Sequence, residues 1–196
     1  MKFGIIKERK NPPDRRVVFT PEELVRLQSE HPEAEIKVES SDIRIFSDDQ
    51  YRNLGLNVTA DMSDCDVLFG VKEVPLDALI PNKKYFFFSH TIKKQPYNRK
   101  LLKANIEKNI ELYDHETIVD ATNHRLIGFG RYAGLVGAYN GFRGFGIKYD
   151  LFTLPKAETL NGKEDLIARL KRQTLPNIKI VLTGHGKVGM GAKEIL

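Results

Sequence analysis

The last stretch of the chain, KIVLTGHGKVGMGAKEIL (residues 179–196), decides how the rest of the sequence is interpreted. Residues 178–182 form a short apolar run rich in β-branched side chains, which predicts a buried strand. The run leads into Gly184-x-Gly186-x-x-Gly189, the glycine spacing of a dinucleotide-binding turn. In such a turn the glycines permit a tight bend, close approach of a pyrophosphate and close helix packing. The stretch therefore predicts the opening of a Rossmann domain, whose remainder we expect beyond Leu196.

A second unusual stretch, GFGRYAGLVGAYNGFRGFGIK (residues 128–148), precedes it. Gly134, Gly137, Gly141 and Gly144 recur every three or four residues, which places them on one face of a helix. Each glycine costs about 1 kcal/mol of helix propensity relative to alanine. We therefore expect close packing of another helix or a ligand along this stripe; a glycine-rich loop is the alternative.

Strands alternate with helices in the first part of the chain, which predicts an α/β fold with a doubly wound, mostly parallel, Rossmann-like sheet. Thr20 and Glu23 form a capping box around Pro21, and Ser47 caps a second helix. We predict an N-terminal domain over residues 1–129, then a linking helix and the incomplete beginning of a second Rossmann domain over residues 130–196. The predicted strands are 3–6, 36–38, a run ending at 70–72, 85–88, and pieces within 110–118 and 125–129; the further helices are 97–108 and 163–172.

Composition excludes several classes of protein. The formal net charge is +5, but the basic residues are scattered without interleaved aromatic residues, which argues against nucleic-acid binding. No apolar run reaches the ~20 residues of a membrane helix. Cys65 is the single cysteine, so an internal disulfide is impossible; we expect an inert thiol and a cytoplasmic protein. A basic balance also suits an enzyme for small molecules with several negative charges.

Two cationic side chains end neighbouring predicted strands, Lys72 in GVKEVP and His90 in FFFSHTIKK. Ligands bind at the carboxyl ends of strands in open α/β sheets. A histidine exchanges protons near neutral pH, and a partly desolvated lysine beside another cation can do the same. The alternatives are a hydrogen-bonding histidine at a strand end and a solvated surface lysine.

Further charged residues, Asp114, Glu116 and Arg125, follow in the stretch ELYDHETIVDATNHR. A carboxylate near Lys72 would keep that lysine charged, and an arginine could hold a substrate carboxylate through two hydrogen bonds. Arg16, in the loop after the first strand, is a similar candidate, although each of these is also consistent with a surface charge. No metal-ligand cluster and no Ser–His–Asp set is visible, so we expect no metal.

Several separate motifs together resemble a known family. KFGIIKERKNPPDRRVVFTP, FGVKEVP, the histidine strand and the terminal glycine turn resemble the alanine dehydrogenase and transhydrogenase α-subunit superfamily. YFFFSHTIKKQPYNRKLL, ELYDHETIVD and LIGFGRYAGLVGAYNGFRGFGIK are similar to lysine-forming saccharopine dehydrogenase, including the lysine–ketoglutarate reductase half of bifunctional plant and animal enzymes. The resemblance covers nearly the whole chain, and it departs from the family in length.

The resemblance implies an oxidoreductase that joins lysine to 2-oxoglutarate and reduces the imine to saccharopine with NAD or NADP, between which the sequence does not decide. Lys72 and His90 would be the acid–base pair, and Glu116 would tune Lys72. Polar contacts with substrate and cofactor are implied for the following residues: Arg16, Lys93, Gln95 and Arg125 for the substrate, and Gly184, Gly186, Lys187, Val188 and Gly189 for the cofactor. We expect this chain by itself to be inactive.

Two other functions stay open. One is an amino-acid dehydrogenase of the alanine dehydrogenase type, with the same acid–base logic and a smaller substrate. The other is a non-catalytic ligand-binding module. In each case the expected partners are small molecules rather than nucleic acid or membrane, and a homo-oligomer stays open.

Overall fold

The computed structural model describes all 196 residues and divides into two units, residues 1–127 (unit 1) and 128–196 (unit 2). Unit 1 contains a six-stranded sheet in which every neighbouring pair is parallel, in the order β3-β2-β1-β4-β5-β6. The predicted doubly wound parallel sheet is thereby confirmed. The strands are β1 (Lys2–Ile5), β2 (Glu35–Glu39), β3 (Asn57–Thr59), β4 (Val67–Lys72), β5 (Lys84–Phe88) and β6 (Glu111–Asp114).

The helices of unit 1 begin where the sequence places caps. Helix α1 (Pro21–Glu30) starts after Thr20, whose hydroxyl accepts the N–H of Glu23 while the Glu23 side chain accepts the N–H of Thr20. Helix α2 (Asp48–Asn53) has the same reciprocal arrangement at Ser47. Each box satisfies two backbone donors that a helix start leaves without partners. The third helix, α3 (Arg99–Glu107), follows a short 3₁₀ turn and connects β5 to β6.

The two faces of the sheet carry separate cores. Cys65, Leu68, Tyr85 and Phe87 are fully buried in the cluster that packs against α3. Burial raises the pKa of the Cys65 thiol, which keeps it protonated and unreactive. On the other face, the buried residues of the second cluster come from β1, β2, α1, α2 and the turn before β3: Ile5, Leu24, Ile36, Val38, Tyr51 and Leu56. These cores fix the strands whose carboxyl ends carry the candidate site.

Unit 2 consists of helices and irregular segments. Its helices are α4 (Gly130–Lys148), α5 (Lys163–Lys171) and α6 (Lys187–Lys193). The prediction of a strand at residues 178–182 is wrong, because this segment has no regular secondary structure and unit 2 contains no strand with which it could pair. The predicted strand piece at residues 125–129 is also wrong, since it contributes a single bridge between Arg125 and Val119.

The glycine-striped helix exists, but the stripe does not pack as a whole. A Cβ atom placed on Gly134 would lie 2.0 Å from the carbonyl oxygen of Val188, so at this point α4 and α6 touch backbone to backbone. Gly191 of α6 meets the Arg131 carbonyl in the same way. Gly137, Gly141 and Gly144 have open space at the corresponding position. Close helix packing therefore explains Gly134 and leaves the other three without a packing partner.

None of the helices combines the length and hydropathy that crossing a bilayer requires.

Candidate active site

The candidate residues of unit 1 lie at the carboxyl ends of β1, β4, β5 and β6. From β1 the chain adds β2 and β3 on one side of the sheet, and from β4 it adds β5 and β6 on the other side. The point between β1 and β4, where the direction of strand order reverses, is the position at which open parallel sheets bind ligands. The polar candidates that the sequence singled out in unit 1 lie at or after these strand ends: Arg16 after β1, Lys72 at the end of β4, His90, Lys93 and Gln95 after β5, Asp114 at the end of β6, and Glu116 and Arg125 after β6.

His90 and Glu116 form the centre of the polar cluster. The imidazole Nδ1 lies 2.9 Å from Glu116 Oε2, and Lys93 Nζ lies 2.9 Å from the other carboxylate oxygen. The Glu116 side chain is about 10% exposed. Burial alone raises the pKa of its carboxyl, but the hydrogen bonds and charges of Lys93 and His90 outweigh burial and lower the pKa below the ordinary value. Glu116 is therefore a carboxylate at neutral pH, in contact with two potential cations.

This pairing defines what His90 can do chemically. Nδ1 also lies 3.2 Å from Lys93 Nζ, which can only donate. If Nδ1–H donates to the closer Glu116 oxygen instead of accepting from Lys93, the ring is held in the tautomer whose Nε2 lone pair accepts a proton. A carboxylate that orients an imidazole in this way also stabilises the imidazolium that forms after proton uptake. The closest side-chain contacts of Glu116 are with His90 and Lys93, whereas the resemblance implied Lys72 as its partner.

The backbone of His90 is held in an uncommon conformation. Its φ is +57° and its ψ +10°, in the left-handed region that non-glycine residues seldom occupy. The side-chain amide of Asn98, which is buried, donates to the His90 carbonyl at 3.1 Å. These features turn the chain sharply at the end of β5 and direct the ring of His90 towards Glu116.

Lys72 is fixed through its backbone by a buried carboxylate. Glu8, which is 7% exposed, accepts the N–H of Val71 at 2.7 Å and the N–H of Lys72 at 2.9 Å. Burial raises the pKa of the Glu8 carboxyl, and the two backbone hydrogen bonds work in the opposite direction. The pairing of β4 with β1 ends at Phe69, and beyond it the Glu8 side chain accepts the backbone N–H groups at the end of β4.

Arg16 is engaged by an acidic neighbour. Its Nε and Nη2 donate to the two carboxylate oxygens of Asp14 at 2.9 and 2.5 Å. The hydrogen bond from Arg16 lowers the pKa of Asp14, an effect that the charge of Lys72 reinforces. Asp14 therefore interacts electrostatically with both Arg16 and Lys72. A substrate carboxylate bound at Arg16 would share the guanidinium with Asp14.

Arg125 and Gln95 lie further out. Arg125 Nη1 is 3.9 Å from Glu116 Oε1, and its guanidinium carbon lies 5.9 Å from the centre of the Phe88 ring. Gln95 is exposed and accepts a hydrogen bond from the Tyr97 hydroxyl. Arg125 therefore belongs to the Glu116 cluster, whereas Gln95 has its closest polar contact outside it.

The predicted cofactor residues lie at the start of α6. Gly184 has φ +90°, a conformation that favours glycine, and Gly186 is the N-cap residue of α6. A Cβ atom on Gly189 would lie 2.4 Å from the Gly184 carbonyl oxygen, so the third glycine lets the turn fold back on itself. Open space surrounds the Cβ positions of Gly184 and Gly186, and Lys187 and Val188 begin the helix. The turn fits a pyrophosphate, which needs exposed backbone N–H groups at a helix start.

Three polar residues near the site were missed by the sequence analysis. Glu8 and Asp14 lie in a polar loop where their spacing carries no signal. His115, which is 5% exposed, has Nε2 3.1 Å from the Gly70 carbonyl oxygen and a buried Nδ1 without a hydrogen-bond partner. Burial lowers the pKa of His115 below its ordinary value.

The structure contains no group of three or more His, Cys, Asp or Glu side chains that could hold a metal ion.

The chain is similar to known proteins over most of its length. Residues 4–136 match the family described as alanine dehydrogenase/PNT, N-terminal domain. The chain is 30% identical over 214 residues to alpha-aminoadipic semialdehyde synthase of Arabidopsis thaliana, covering 98% of this chain and 20% of that protein. It is 27% identical over 181 residues to saccharopine dehydrogenase [NAD(+), L-lysine-forming] of Yarrowia lipolytica, covering 82% of this chain and 48% of that protein.

Among solved structures, an L-alanine dehydrogenase superposes with a TM-score of 0.68 at 19% sequence identity. The superposition covers 99% of this chain and 51% of the dehydrogenase, and at this identity it concerns the fold alone. The chain thus spans about a fifth of the plant relative's length and about half of the length of the other two proteins.

Proposed function

Because the chain belongs to the family of alanine dehydrogenase/PNT N-terminal domains, we propose that it supplies the acid–base residues and the first cofactor-binding turn of a nicotinamide-dependent oxidoreductase. The reaction that we propose joins the ε-amine of lysine to 2-oxoglutarate and forms saccharopine, or runs in reverse. The name of the Yarrowia lipolytica relative, a lysine-forming saccharopine dehydrogenase, supports this choice of substrates over alanine and pyruvate. The proposal covers NAD and NADP alike.

The observation that carries the proposal is the hydrogen bond between His90 Nδ1 and Glu116 at the carboxyl edge of the sheet. Lys72 ends the strand next to that of His90, and the two strands pair in parallel with Lys72 opposite Phe88. Two groups able to exchange protons therefore follow adjacent strands. A reaction that must remove a proton from an amine and deliver one to a leaving oxygen needs two such groups.

The proton transfers follow from ordinary imine chemistry. The ε-ammonium of lysine loses a proton to a base, and the neutral amine adds to C2 of 2-oxoglutarate. The oxygen of the resulting carbinolamine takes up a proton and leaves as water, which produces the protonated imine. We assign these transfers to Lys72 and His90, with Glu116 holding the imidazole and stabilising its charged form. Such acid–base assistance contributes typically about 10²–10⁴ in rate.

The substrates carry several carboxylates, and the cations around the cluster suit them. Arg125 and Lys93 lie beside Glu116, and Arg16 lies beside Asp14. A guanidinium can hold a carboxylate through two parallel hydrogen bonds, which gives both affinity and orientation. We propose that Arg16, Lys93 and Arg125 bind substrate carboxylates in competition with their acidic neighbours, and that Gln95 contributes a polar contact.

The nicotinamide dinucleotide supplies the hydride when it is bound. Its pyrophosphate would be held by the backbone of Gly184, Gly186, Lys187, Val188 and Gly189. The positive φ of Gly184 and the absence of room for a side chain at Gly189 support this assignment. The backbone N–H groups at the start of α6 favour negative charge.

A spectrophotometric assay of the complete gene product tests the proposal. Oxidation of NADH or NADPH should require both lysine and 2-oxoglutarate, and NAD or NADP should be reduced in the presence of saccharopine. Turnover of pyruvate plus ammonia in their place would replace the proposal with an alanine dehydrogenase-type activity. Substrate binding without any dinucleotide turnover would favour a non-catalytic ligand-binding module.

A further inference from the structure

We propose that Asp114 is the positioning residue that holds His90 and Glu116 together. Asp114 is the last residue of β6, and it is 6% exposed. Its carboxylate lies between the loop that carries His90 and the loop that carries Glu116. Because its carboxylate bonds to Ser89 and to the Glu116 N–H and not to the His90 ring, its effect is exerted through the two chain segments.

The first set of contacts fixes the residue before His90. Ser89, which is fully buried, donates its hydroxyl to Asp114 Oδ2 at 2.5 Å, and its N–H lies 3.4 Å from Oδ1. The hydroxyl oxygen of Ser89 in turn accepts the N–H of Thr91 at 3.1 Å. The hydrogen bonds of Ser89 therefore fix the residue before His90 and the residue after it, Thr91.

The second contact fixes Glu116. Asp114 Oδ1 accepts the N–H of Glu116 at 2.9 Å, in a tight turn closed by the Thr117 N–H on the Asp114 carbonyl. One buried carboxylate thus bonds to the chain next to His90 and to the backbone of Glu116. Hydrogen bonds to a charged group are about twice as strong as neutral ones, and they strengthen further when they are shielded from water.

The geometric consequence is specific. The His90 and Glu116 side chains meet at 2.9 Å although they are 26 residues apart and follow different strands. Pairing of β5 with β6 ends at Phe87 and Asp114, so the sheet ladder does not reach either residue. The carboxylate of Asp114 extends the connection between the two chain segments beyond the end of the ladder.

Tautomer spectroscopy on the 196-residue chain provides the test, and it is independent of the proposed function. The ¹⁵N shifts of the two ring nitrogens of His90 report which nitrogen carries the proton. We expect one tautomer with the proton on Nδ1 in the parent chain, and a mixture in Asp114→Ala. Ser89→Ala, which removes one hydroxyl and leaves the carboxylate in place, should move the shifts in the same direction by a smaller amount.

A matched control comes from a turn further along the segment that follows β6. Asp120 Oδ1 accepts the N–H of Thr122 at 2.9 Å in a turn of the same kind, but it lies on the surface. Asp120→Ala should leave the His90 shifts unchanged. Parent-like shifts of His90 in both folded Asp114→Ala and Ser89→Ala would overturn the proposal; if Asp114→Ala does not fold, the Ser89→Ala result decides.

A kinetic test rests on the proposed function. In the complete gene product, Asp114→Ala should lower kcat by about 10- to 100-fold, the usual effect of misplacing a reacting group by about 1 Å, with KM changed by less than about 3-fold. Asp114→Asn keeps one oxygen for the Glu116 N–H and should recover much of the rate. An inactive parent enzyme would refute the proposed function, whereas unaltered kcat in an active Asp114→Ala enzyme would refute the positioning role.

Discussion

Replacing Gly134 by alanine puts the contact between α4 and α6 to a quantitative test. The added Cβ would lie 2.0 Å from the Val188 carbonyl oxygen and 2.7 Å from the Ala192 nitrogen, and both atoms belong to the backbone. The helices have to separate by about 1 Å before the closest contact reaches even 3.0 Å. Overpacking of this kind costs about 1–3 kcal/mol. Alanine also gains about 1 kcal/mol of helix propensity over glycine.

Gly144→Ala is the matched control, because it makes the same change in the same helix with nothing within 4 Å. The propensity gain cancels between the two variants, so their difference in stability isolates the overpacking cost of about 1–3 kcal/mol. Hydrogen exchange at the amides of α4 and α6 measures the free energy of opening for these helices in each variant. A Gly134→Ala protein as stable as Gly144→Ala, or more stable, would refute the close contact.

Changes in the candidate site test chemistry, binding and pH dependence separately. In the complete gene product, Lys72→Met and His90→Gln should each lower kcat by about 10²–10⁴ at saturating substrate, and near-normal rates in both would make these residues structural. Arg125→Ala should raise KM for the dicarboxylate substrate by about 10- to 150-fold, because a hydrogen bond to a charged group contributes about 1.5–3 kcal/mol. KM for the dinucleotide should stay unchanged, and an unaltered dicarboxylate KM would contradict the assignment. Burial lowers the pKa of His115 below 6.5, so the unfolded chain binds the proton more readily than the folded chain, and stability that is present above pH 6.5 should be lost as the pH falls below it. In urea unfolding between pH 7.5 and 5.5, the unfolding free energy of His115→Leu should depend less steeply on pH than that of the parent chain, and equal slopes would refute the assignment.

Local signals in the sequence predicted much of unit 1. The capping boxes at Thr20 and Ser47 depend on residues three positions apart, so they can be found without tertiary information. The run Tyr85-Phe86-Phe87-Phe88 is apolar on both faces, as a strand covered on two sides requires, and it lies in the inner strand β5. The three-residue strand β3 was missed because its sequence, Asn-Val-Thr, is too short to show a period.

Unit 2 shows where local signals fail. Residues 178–182 have the composition of a strand, but a strand exists through hydrogen bonds to a neighbour, and composition cannot supply the neighbour. The same holds for the glycine stripe. Gly134 and Gly137 are equivalent in the sequence pattern, and the position of α6 alone makes one a contact and the other open surface.

For the candidate site, the rule that ligands bind at strand carboxyl ends was sufficient to select Lys72 and His90 as neighbours. The partners of these residues were less accessible to sequence analysis. Glu8 contacts the backbone of Lys72 across 64 positions in the chain. The family resemblance implied Glu116 as a partner of Lys72, whereas its side chain contacts His90. Such pairings depend on loop paths after the strands, which follow from tertiary packing and leave no periodic pattern.

At position 90, the left-handed backbone favours glycine for stability, whereas the proposed activity requires histidine. A side chain in this conformation costs about 1–2 kcal/mol that glycine would not incur. His90→Gly should therefore relieve strain in the turn while it removes the imidazole on which the proposed proton transfer depends. Selection for thermal tolerance alone would drift towards glycine here, and selection for turnover would oppose it. Engineering that stabilises this chain by consensus or by strain relief should consequently leave position 90 untouched.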